Sequence, residues 1–166
     1  RVPYTGVGGD IIPAYAGITH HEYCYEYEKT REAIIKFHRD FPCDWAFGVS
    51  FTGVGVLPLN FAFAENPDVT AAFAMYGTIH DLLGDICTRY PGREIEENCS
   101  PQFIGGTFMQ PEEYDELIED PVGFMAQKIL PKICKNLDTP RKAMATWVRI
   151  GLEYGKVAAF MKGVNK

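Results

Sequence analysis

The sequence lacks any apolar run of the roughly 20 residues that a helix needs to cross a bilayer. It also lacks a charged start followed by an apolar stretch, which is the pattern of a secretory signal peptide. Clusters of lysine and arginine are missing too, and the formal net charge at pH 7 is −6. Because binding to phosphates requires such clusters, we expect neither nucleic acid nor a membrane as a partner, and we expect a cytoplasmic location.

Cysteine pairs at metal-binding spacing are also missing. The five cysteines are widely spaced, with no C-x-x-C pair and no nearby pattern of cysteine and histidine. Free cysteine is among the residue types that are most often buried. The sequence therefore predicts reduced, mostly buried thiols and no metal ligands in this chain. The cysteines are Cys24, Cys43, Cys87, Cys99 and Cys134.

The composition is that of an ordinary globular protein, with 166 residues of which 46% are hydrophobic and 23% charged. This length allows one domain at most, or part of one. The first quarter of the chain predicts a strand, a helix and a second strand. Residues 2–7 can form a short buried strand, and Thr19 and Glu22 form a capping box at the start of a long helix that ends before Pro42.

Residues 43–51 form a near-continuous apolar run, which is typical of a strand buried on both faces of a parallel sheet. The order of strand, helix and strand favours an α/β architecture. Farther along, Asn66 begins a helix whose apolar stripe continues to Tyr90, and Thr139 begins a last helix that reaches Gly163. The predicted buried stripe of this last helix comprises Met144, Trp147, Gly151, Tyr154, Ala158 and Met161.

The most distinctive stretch runs from Met109 to Phe124 and is followed by Leu130 and Pro131. Pro111 can occupy the first position of one short helix. A second helix can start at Asp120, which can act as its cap and is again followed by proline. The acidic residues of the stretch suit helix starts with a solvent-exposed face.

In its sequence the stretch resembles the uroporphyrinogen decarboxylase superfamily, whose members often carry an M-x-x-E-E-Y-D-x-L-I-x-D-P segment ahead of a helix ending in Leu-Pro. The superfamily contains the decarboxylase and a large set of corrinoid-linked methyltransferases. Arg1 to Pro3 as the opening of a first strand, the helix end at Phe41 and the strand from Asp44 to Phe47 support the resemblance. It implies an α/β fold, namely the N-terminal part of a (β/α)8 TIM barrel with a helical insertion, helix-rich as a fragment.

Under this interpretation residues 1–64 are the first strands and helix of the barrel, and residues 65–166 are the helical insertion and following helices. A complete barrel needs about 250 residues, so we expect a single partial domain from a longer polypeptide. An open sheet edge in such a fragment favours association. We therefore expect self-association, or association with the rest of the barrel.

The signature of the decarboxylase itself is missing. The resemblance would place an Arg-Gln-Ala-Gly-Arg-Tyr motif after the first strand, where its arginines hold the carboxylates of the substrate. No arginine occurs between Arg1 and Arg31, and residues 49–52 lack the aspartate that follows the second strand of the decarboxylase. The resemblance thus favours a methyltransferase that acts on a small methylated compound. It implies zinc and a corrinoid protein for the full-length family member.

Asp10 is the candidate catalytic residue, because the catalytic residues of barrels collect where strands end and loops begin. The competing interpretation is a turn aspartate that bonds its own backbone. His38 and His80 fall within helix stripes and are interpreted as core residues with one hydrogen bond each. Aromatic residues could line a substrate pocket, although aromatic residues beside strands more often belong to the core. The candidate pocket residues are Tyr4, Tyr15, Phe47 and Phe51.

Two alternative functions remain open. One is decarboxylation of a porphyrinogen or a related substrate. The other is a helical binding or assembly module without catalysis, which the abundance of helix and the shortage of strands favour.

Overall fold

Helices dominate the part of the chain that the structure, a computed structural model, describes; this part comprises residues 5–6, 10–42, 45–46 and 77–164. The helices are α1 Ile11–Ala16, α2 His20–Tyr25, α3 Tyr27–Asp40, α4 Gly77–Leu83, α5 Tyr114–Glu119, α6 Pro121–Phe124, α7 Leu130–Ile133 and α8 Pro140–Val164. A 3₁₀ turn at Pro111–Glu113 precedes α5, and a π-helical turn at Met125–Ile129 precedes α7. Within these ranges no helix has both the length and the apolar character needed to span a membrane.

The strands are β1 Thr5–Gly6, β2 Trp45–Ala46, β3 Thr88–Arg89 and β4 Gln102–Phe103. β1 pairs in parallel with β2. Along the chain α1, α2 and α3 connect these two strands, which is the predicted order of strand, helix and strand. β3 pairs with β4 in the antiparallel sense. The remaining residues of the two predicted strands lie outside the described ranges.

The prediction of the N-terminal part of a TIM barrel is wrong for the described part of the chain. Helices make up most of it, and its second ladder is antiparallel rather than a continuation of a parallel sheet. The physical reason is that the helices bury their apolar faces on one another: α1 and α2 pack on α3, and α8 packs on α3 and α4. Among the described residues the core is accordingly formed by helices and the segments that follow them.

α2 begins with the predicted capping box. The hydroxyl of Thr19 accepts a hydrogen bond from the backbone N–H of Glu22 at 3.0 Å, and the Glu22 carboxylate accepts one from the Thr19 N–H at 2.8 Å. The predicted single helix is nevertheless interrupted at Glu26, where φ is −110° and ψ is 92°. Thr30 stabilises this interruption by donating its hydroxyl to a carbonyl of α2 at 2.6 Å. α3 ends at Asp40, as the following proline predicted.

α4 ends at Leu83, well before the predicted helix end at Tyr90. Gly84 adopts a φ of +65°, a left-handed conformation that terminates the helix. The next residue, Asp85, forms an isolated antiparallel bridge with Cys134, so the chain after α4 is extended and pairs with the end of α7. The predicted start of this helix at residue 66 lies outside the described ranges.

The distinctive stretch folds into consecutive helical turns with the predicted starts. Pro111 opens the 3₁₀ turn, where the N–H of Gln110 donates to the Glu113 carboxylate at 2.8 Å. Asp120 caps α6 by accepting a hydrogen bond from the N–H of Gly123 at 2.9 Å. The local structure of the stretch therefore follows from its own capping residues.

The π-helical turn lies directly before Pro131, which has no amide proton to continue the α-helical hydrogen bonds. The widened turn lets the chain remain helical across the proline, so the segment keeps its apolar side against the core. The buried residues of α6, α7 and the turn between them are Phe124, Ile129, Leu130 and Ile133.

The face that α8 turns to the core includes Trp147 of the predicted stripe but not Met144 or Gly151. The side chains of Tyr154, Ala158 and Met161 lie outside the described part of the protein. Thr146 and Ile150 are buried and Trp147 packs against the core, whereas Met144 is 73% exposed. The buried Thr146 is tolerated because its hydroxyl donates to the carbonyl oxygen of Asn136 at 3.1 Å. The apolar stripe of the sequence therefore includes residues that the described part of the protein leaves uncovered.

Replacing Ile133 with alanine should lower the free energy of unfolding by about 2–5 kcal/mol, because a buried isoleucine leaves a cavity. Ile133 is 1% exposed, and Ile11, which is 61% exposed, provides the matched control. Ile11→Ala should change stability by no more than about 0.5 kcal/mol. Denaturant titration followed by circular dichroism measures both variants, and equal losses would contradict this assignment of the core.

Candidate functional site

A buried histidine lies between two carboxylates. His80 is on α4 and is 7% exposed. Its Nδ1 lies 3.5 Å from Oδ2 of Asp85, and its Nε2 lies 3.5 Å from Oε1 of Glu94. The ring of Tyr90 stacks on the imidazole, with 4.4 Å between the two ring centroids. Two carboxylates and a tyrosine ring therefore surround one buried imidazole.

The turns that follow α4 hold both carboxylates in place. Oδ1 of Asp85 accepts a hydrogen bond from the backbone N–H of Cys87 at 2.7 Å, which leaves Oδ2 directed at the ring. Oε2 of Glu94 accepts one from the N–H of Tyr90 at 2.8 Å, which leaves Oε1 directed at the ring. Each carboxylate therefore uses one oxygen to fix its position and the other to meet His80.

A cation–π contact and an ion pair support the turn that carries Glu94. Arg93 lies over the ring of Tyr25 on α2, with 4.6 Å between the guanidinium carbon and the ring centroid. Its Nε also donates to Asp81 on α4 at 2.9 Å. The Tyr25 hydroxyl donates to the same carboxylate at 3.2 Å. The turn is thereby attached to α4, which carries His80, and to α2.

Burial of the imidazole disfavours its charged form and by itself would lower the pKa of His80. The interactions with Asp85 and then Glu94 outweigh burial, so the pKa of His80 lies above its ordinary value of 6.5. Burial also disfavours the charged form of Glu94 and by itself would raise the pKa of this residue. The N–H of Tyr90 and the charge of His80 outweigh burial and bring the pKa of Glu94 below its ordinary value of 4.5. Both shifts favour a protonated ring beside an ionised Glu94.

This arrangement can hold and release a proton, but it offers a substrate little access. The side chain of His80 is 5% exposed and its face is covered by Tyr90, whereas the Glu94 side chain is 47% exposed. Protons can therefore reach the ring through Glu94. We interpret the cluster as a pH-dependent clamp between α4 and the turns that follow it.

Sequence reasoning predicted the burial of His80 but missed its two ionic partners. Asp85 and Glu94 have no periodic relation to His80 along the chain, so helical spacing gave no signal. The one local signal is Gly84 directly before Asp85, because a left-handed glycine at a helix end turns the following residue back towards the helix.

Asp10, the predicted catalytic residue, is exposed at the start of α1, shortly after β1. It occupies the position of the helix cap, yet its carboxylate makes no capping hydrogen bond. Its charge reaches the thiol of Cys24, whose pKa is raised to about 12 by burial and, to a smaller extent, by Asp10. Asp10 is therefore an exposed acid that does not cap the helix it precedes.

Tyr15, a predicted pocket residue, serves the packing of α1 on α3. Its hydroxyl donates to Asp40 at 2.9 Å, and its ring meets Phe37 edge to face with 5.8 Å between centroids. Lys36 Nζ lies 3.9 Å from the centre of the same ring. These partners all belong to α3. The other predicted pocket residues, Tyr4, Phe47 and Phe51, lie outside the described ranges.

The described residues do not fit the zinc ion that the family resemblance implies. Among them no three side chains of histidine, cysteine, aspartate or glutamate converge to hold a metal ion. Cys24, Cys87 and Cys134 are buried free thiols, as predicted, and Cys99 is partly buried. Burial raises the pKa of Cys24 to about 12 and that of Cys87 to about 11, which disfavours the thiolate form that binds zinc.

Comparison with known proteins gives no family assignment, since no known family, curated protein or solved structure matches the chain.

The stability of the protein should decrease as pH rises above the unfolded-state pKa of histidine, about 6.5. The pKa of folded His80 lies above that value, so its stabilising contribution is complete below about pH 6.5 and is lost as pH rises through the folded pKa. Each tenfold preference of the folded state for the proton corresponds to about 1.4 kcal/mol. His80→Gln should remove this part of the pH dependence, as denaturant titrations at several pH values would measure.

His20→Gln provides the matched control, because the His20 ring pairs with the hydroxyl of Ser100 at 3.2 Å. This variant should retain the pH dependence of the wild-type protein. If His80→Gln retained it as well, the ion pairs of His80 would not be its source.

Proposed function

We propose that this chain is part of a methyltransferase that acts with a corrinoid protein on a small methylated compound, of the kind found in the uroporphyrinogen decarboxylase superfamily. The single observation that carries the proposal is the exposed carboxylate of Asp10, which does not cap the helix that it precedes. The decarboxylase has arginines in this part of the chain to hold the carboxylates of its substrate. An acid in their place would repel a substrate with several carboxylates.

The charge of Asp10 supports a substrate that is neutral or positively charged. An ionised carboxylate only accepts hydrogen bonds, and it pairs with cations. A small methylated amine, thiol or ether carries no carboxylate that an exposed acid would repel. In this proposal Asp10 binds and orients the substrate.

The segment that carries the family resemblance supports the proposal in a different way. Its helical start at Pro111 and its cap at Asp120 form as its sequence predicts, and Phe124 is 2% exposed in the core. The resemblance therefore concerns residues with a defined structural role. Zinc, where the full enzyme binds it, would act as a Lewis acid; the role proposed for Asp10 concerns binding of the substrate alone.

Asp10→Asn should weaken the use of a positively charged methylated substrate about tenfold to hundredfold, since a hydrogen bond to a charged group contributes about 1.5–3 kcal/mol. The loss should appear mainly in KM, because the proposed role is binding. Methyl transfer is followed by the absorbance change of the corrinoid in an assay that contains the corrinoid protein and a methylated amine, thiol or ether.

The matched control for this assay is Glu96→Gln, another exposed acid, which should leave KM unchanged. Unchanged kinetics in Asp10→Asn would contradict the role of Asp10. Conversion of uroporphyrinogen to coproporphyrinogen by the wild-type protein would contradict the methyltransferase proposal as a whole and favour the decarboxylase.

A helical binding or assembly module without catalysis is the second candidate. It is favoured by the shared core of the described helices, which extends from Ile12 in α1 to Ile150 in α8. A chain with its own core should unfold in one sharp, cooperative transition. Loss of fixed tertiary packing with retained helix, measured by near- and far-ultraviolet circular dichroism, would oppose an independent module.

A further inference from the structure

One face of α8 exposes large apolar side chains at four-residue spacing. Met144 is 73% exposed, Val148 62% and Leu152 74%. Residues four apart on a helix lie on the same side, so these three side chains form a continuous stripe. Gly151 lies in the same stripe, and a Cβ atom placed there would contact nothing within 4 Å. We call this stripe the α8 face.

The α8 face is bordered by positive charge. Residues 140–164 contain five basic residues and one acidic residue. Lys142 and Lys156 are neutralised by Asp138 and Glu153, at 2.7 and 2.8 Å. For Arg141 and Arg149, which are both exposed, the described residues provide no ion pair. These two guanidinium groups are therefore available to a partner beside the apolar stripe.

A second exposed apolar surface lies on α5, and its border is negative. Tyr114 is 53% exposed and Ile118, one turn later, is 75% exposed. Residues 109–124 contain six acidic residues and no lysine or arginine. Asp115 and Glu119 lie one turn apart and are exposed, and within the described ranges they form no ion pair. We call Tyr114, Ile118 and these two acids the α5 face.

Three of the other acids of this stretch have partners within the chain. Lys132 lies 3.3 Å from Glu113, and Lys128 forms an ion pair with Glu116. Both lysines belong to the helical segment that follows α6. Asp120 caps α6 through the N–H of Gly123. The two acids of the α5 face, like Glu112 before them, have no such partner among the described residues.

The apolar residues of the two faces recur at the same four-residue spacing, and the borders of the two faces are opposite in charge. We propose that the α8 face of one copy of this chain docks on the α5 face of a second copy. Apolar residues at four-residue spacing would pack along both helices. The guanidinium groups of Arg141 and Arg149 would meet the carboxylates of Asp115 and Glu119 at the border. The opposite side of α8 is already occupied, because it packs on α3 and α4.

A two-fold dimer uses both faces of each copy, so the helix contact occurs twice. Such a doubled contact brings the buried area closer to the roughly 1,200–2,000 Å² of a stable interface. The apolar stripes provide the attraction, and the charges at the border select the partner. Because exposed charges are screened by salt, association should weaken as ionic strength rises.

The test uses two charge-reversed forms of the chain. One form carries Asp115→Lys and Glu119→Lys, and the other carries Arg141→Glu and Arg149→Glu. Each form alone places like charges opposite each other, so its dimer dissociation constant should increase at least tenfold over that of the wild-type dimer. An equimolar mixture again places opposite charges together in both contacts and should restore dimers. Sedimentation velocity measures all three samples.

Glu96→Lys with Glu97→Lys is the matched control, since both residues are exposed and lie away from the two faces in sequence. It should leave the dimer unchanged. Circular dichroism verifies that every variant retains its helices, as expected for exposed positions. A Val148→Asp variant, which places a charge within the α8 face, should be monomeric.

Three outcomes would overturn the proposal. A wild-type chain that stays monomeric at high concentration would mean that another occupant, such as a different protein, covers the α8 face. Dimers of either charge-reversed form alone with the dissociation constant of the wild-type dimer would place the interface elsewhere. Failure of the mixture to recover would exclude pairing between these two faces. None of these results depends on methyl transfer, so the test is independent of the proposed enzyme function.

Discussion

The rest of the described structure depends on the backbone pairing between the turn after α4 and the end of α7. The N–H of Ile86 donates to the carbonyl of Ile133 at 3.0 Å, and the N–H of Lys135 donates to the carbonyl of Gly84 at 3.0 Å. This pairing connects two segments about 50 residues apart and needs the left-handed turn at Gly84. It attaches the distinctive helical stretch to α4 and, in the same turn, places Asp85 beside the buried histidine.

The buried histidine shows how much specificity such a turn can provide. An ion pair in the core adds little net stability, because removing charges from water costs free energy that the attraction only offsets. Its value lies in selecting one arrangement, since a protonated His80 without Asp85 and Glu94 would be strongly unfavourable. Tyr90 covers the ring and its backbone N–H holds Glu94, so one residue serves both the packing and the electrostatics of the cluster. The clamp is therefore a property of the turns as much as of α4.

Capping residues could be predicted from the sequence because their partners lie within three residues, as for Thr19 with Glu22 and for Asp120 with Gly123. Features that depend on partners farther along the chain could not be predicted from the sequence. The interruption of the first long helix relies on a hydroxyl from the next helix, and the buried face of α8 is set by the helices on which it packs. The barrel was inferred from a family resemblance and short apolar runs, whereas helix-on-helix burial determines the described fold. The ionic partners of His80 required a turn whose direction only the folded chain reveals.

Five of the six acidic residues of the distinctive stretch divide into two groups with different physical explanations. Glu113 and Asp120 accept hydrogen bonds at helix starts, and Glu116 is paired with a lysine, so local structure accounts for them. Asp115 lies in the first turn of α5, where the helix dipole favours an acid, but among the described residues neither Asp115 nor Glu119 forms an ion pair. Both contribute unpaired negative charge to the formal net charge of −6. Exposed like charges one turn apart repel each other and weaken a short helix. A basic partner removes that repulsion, and among the described residues the exposed Arg141 and Arg149 of α8 are cations that form no ion pair within the chain.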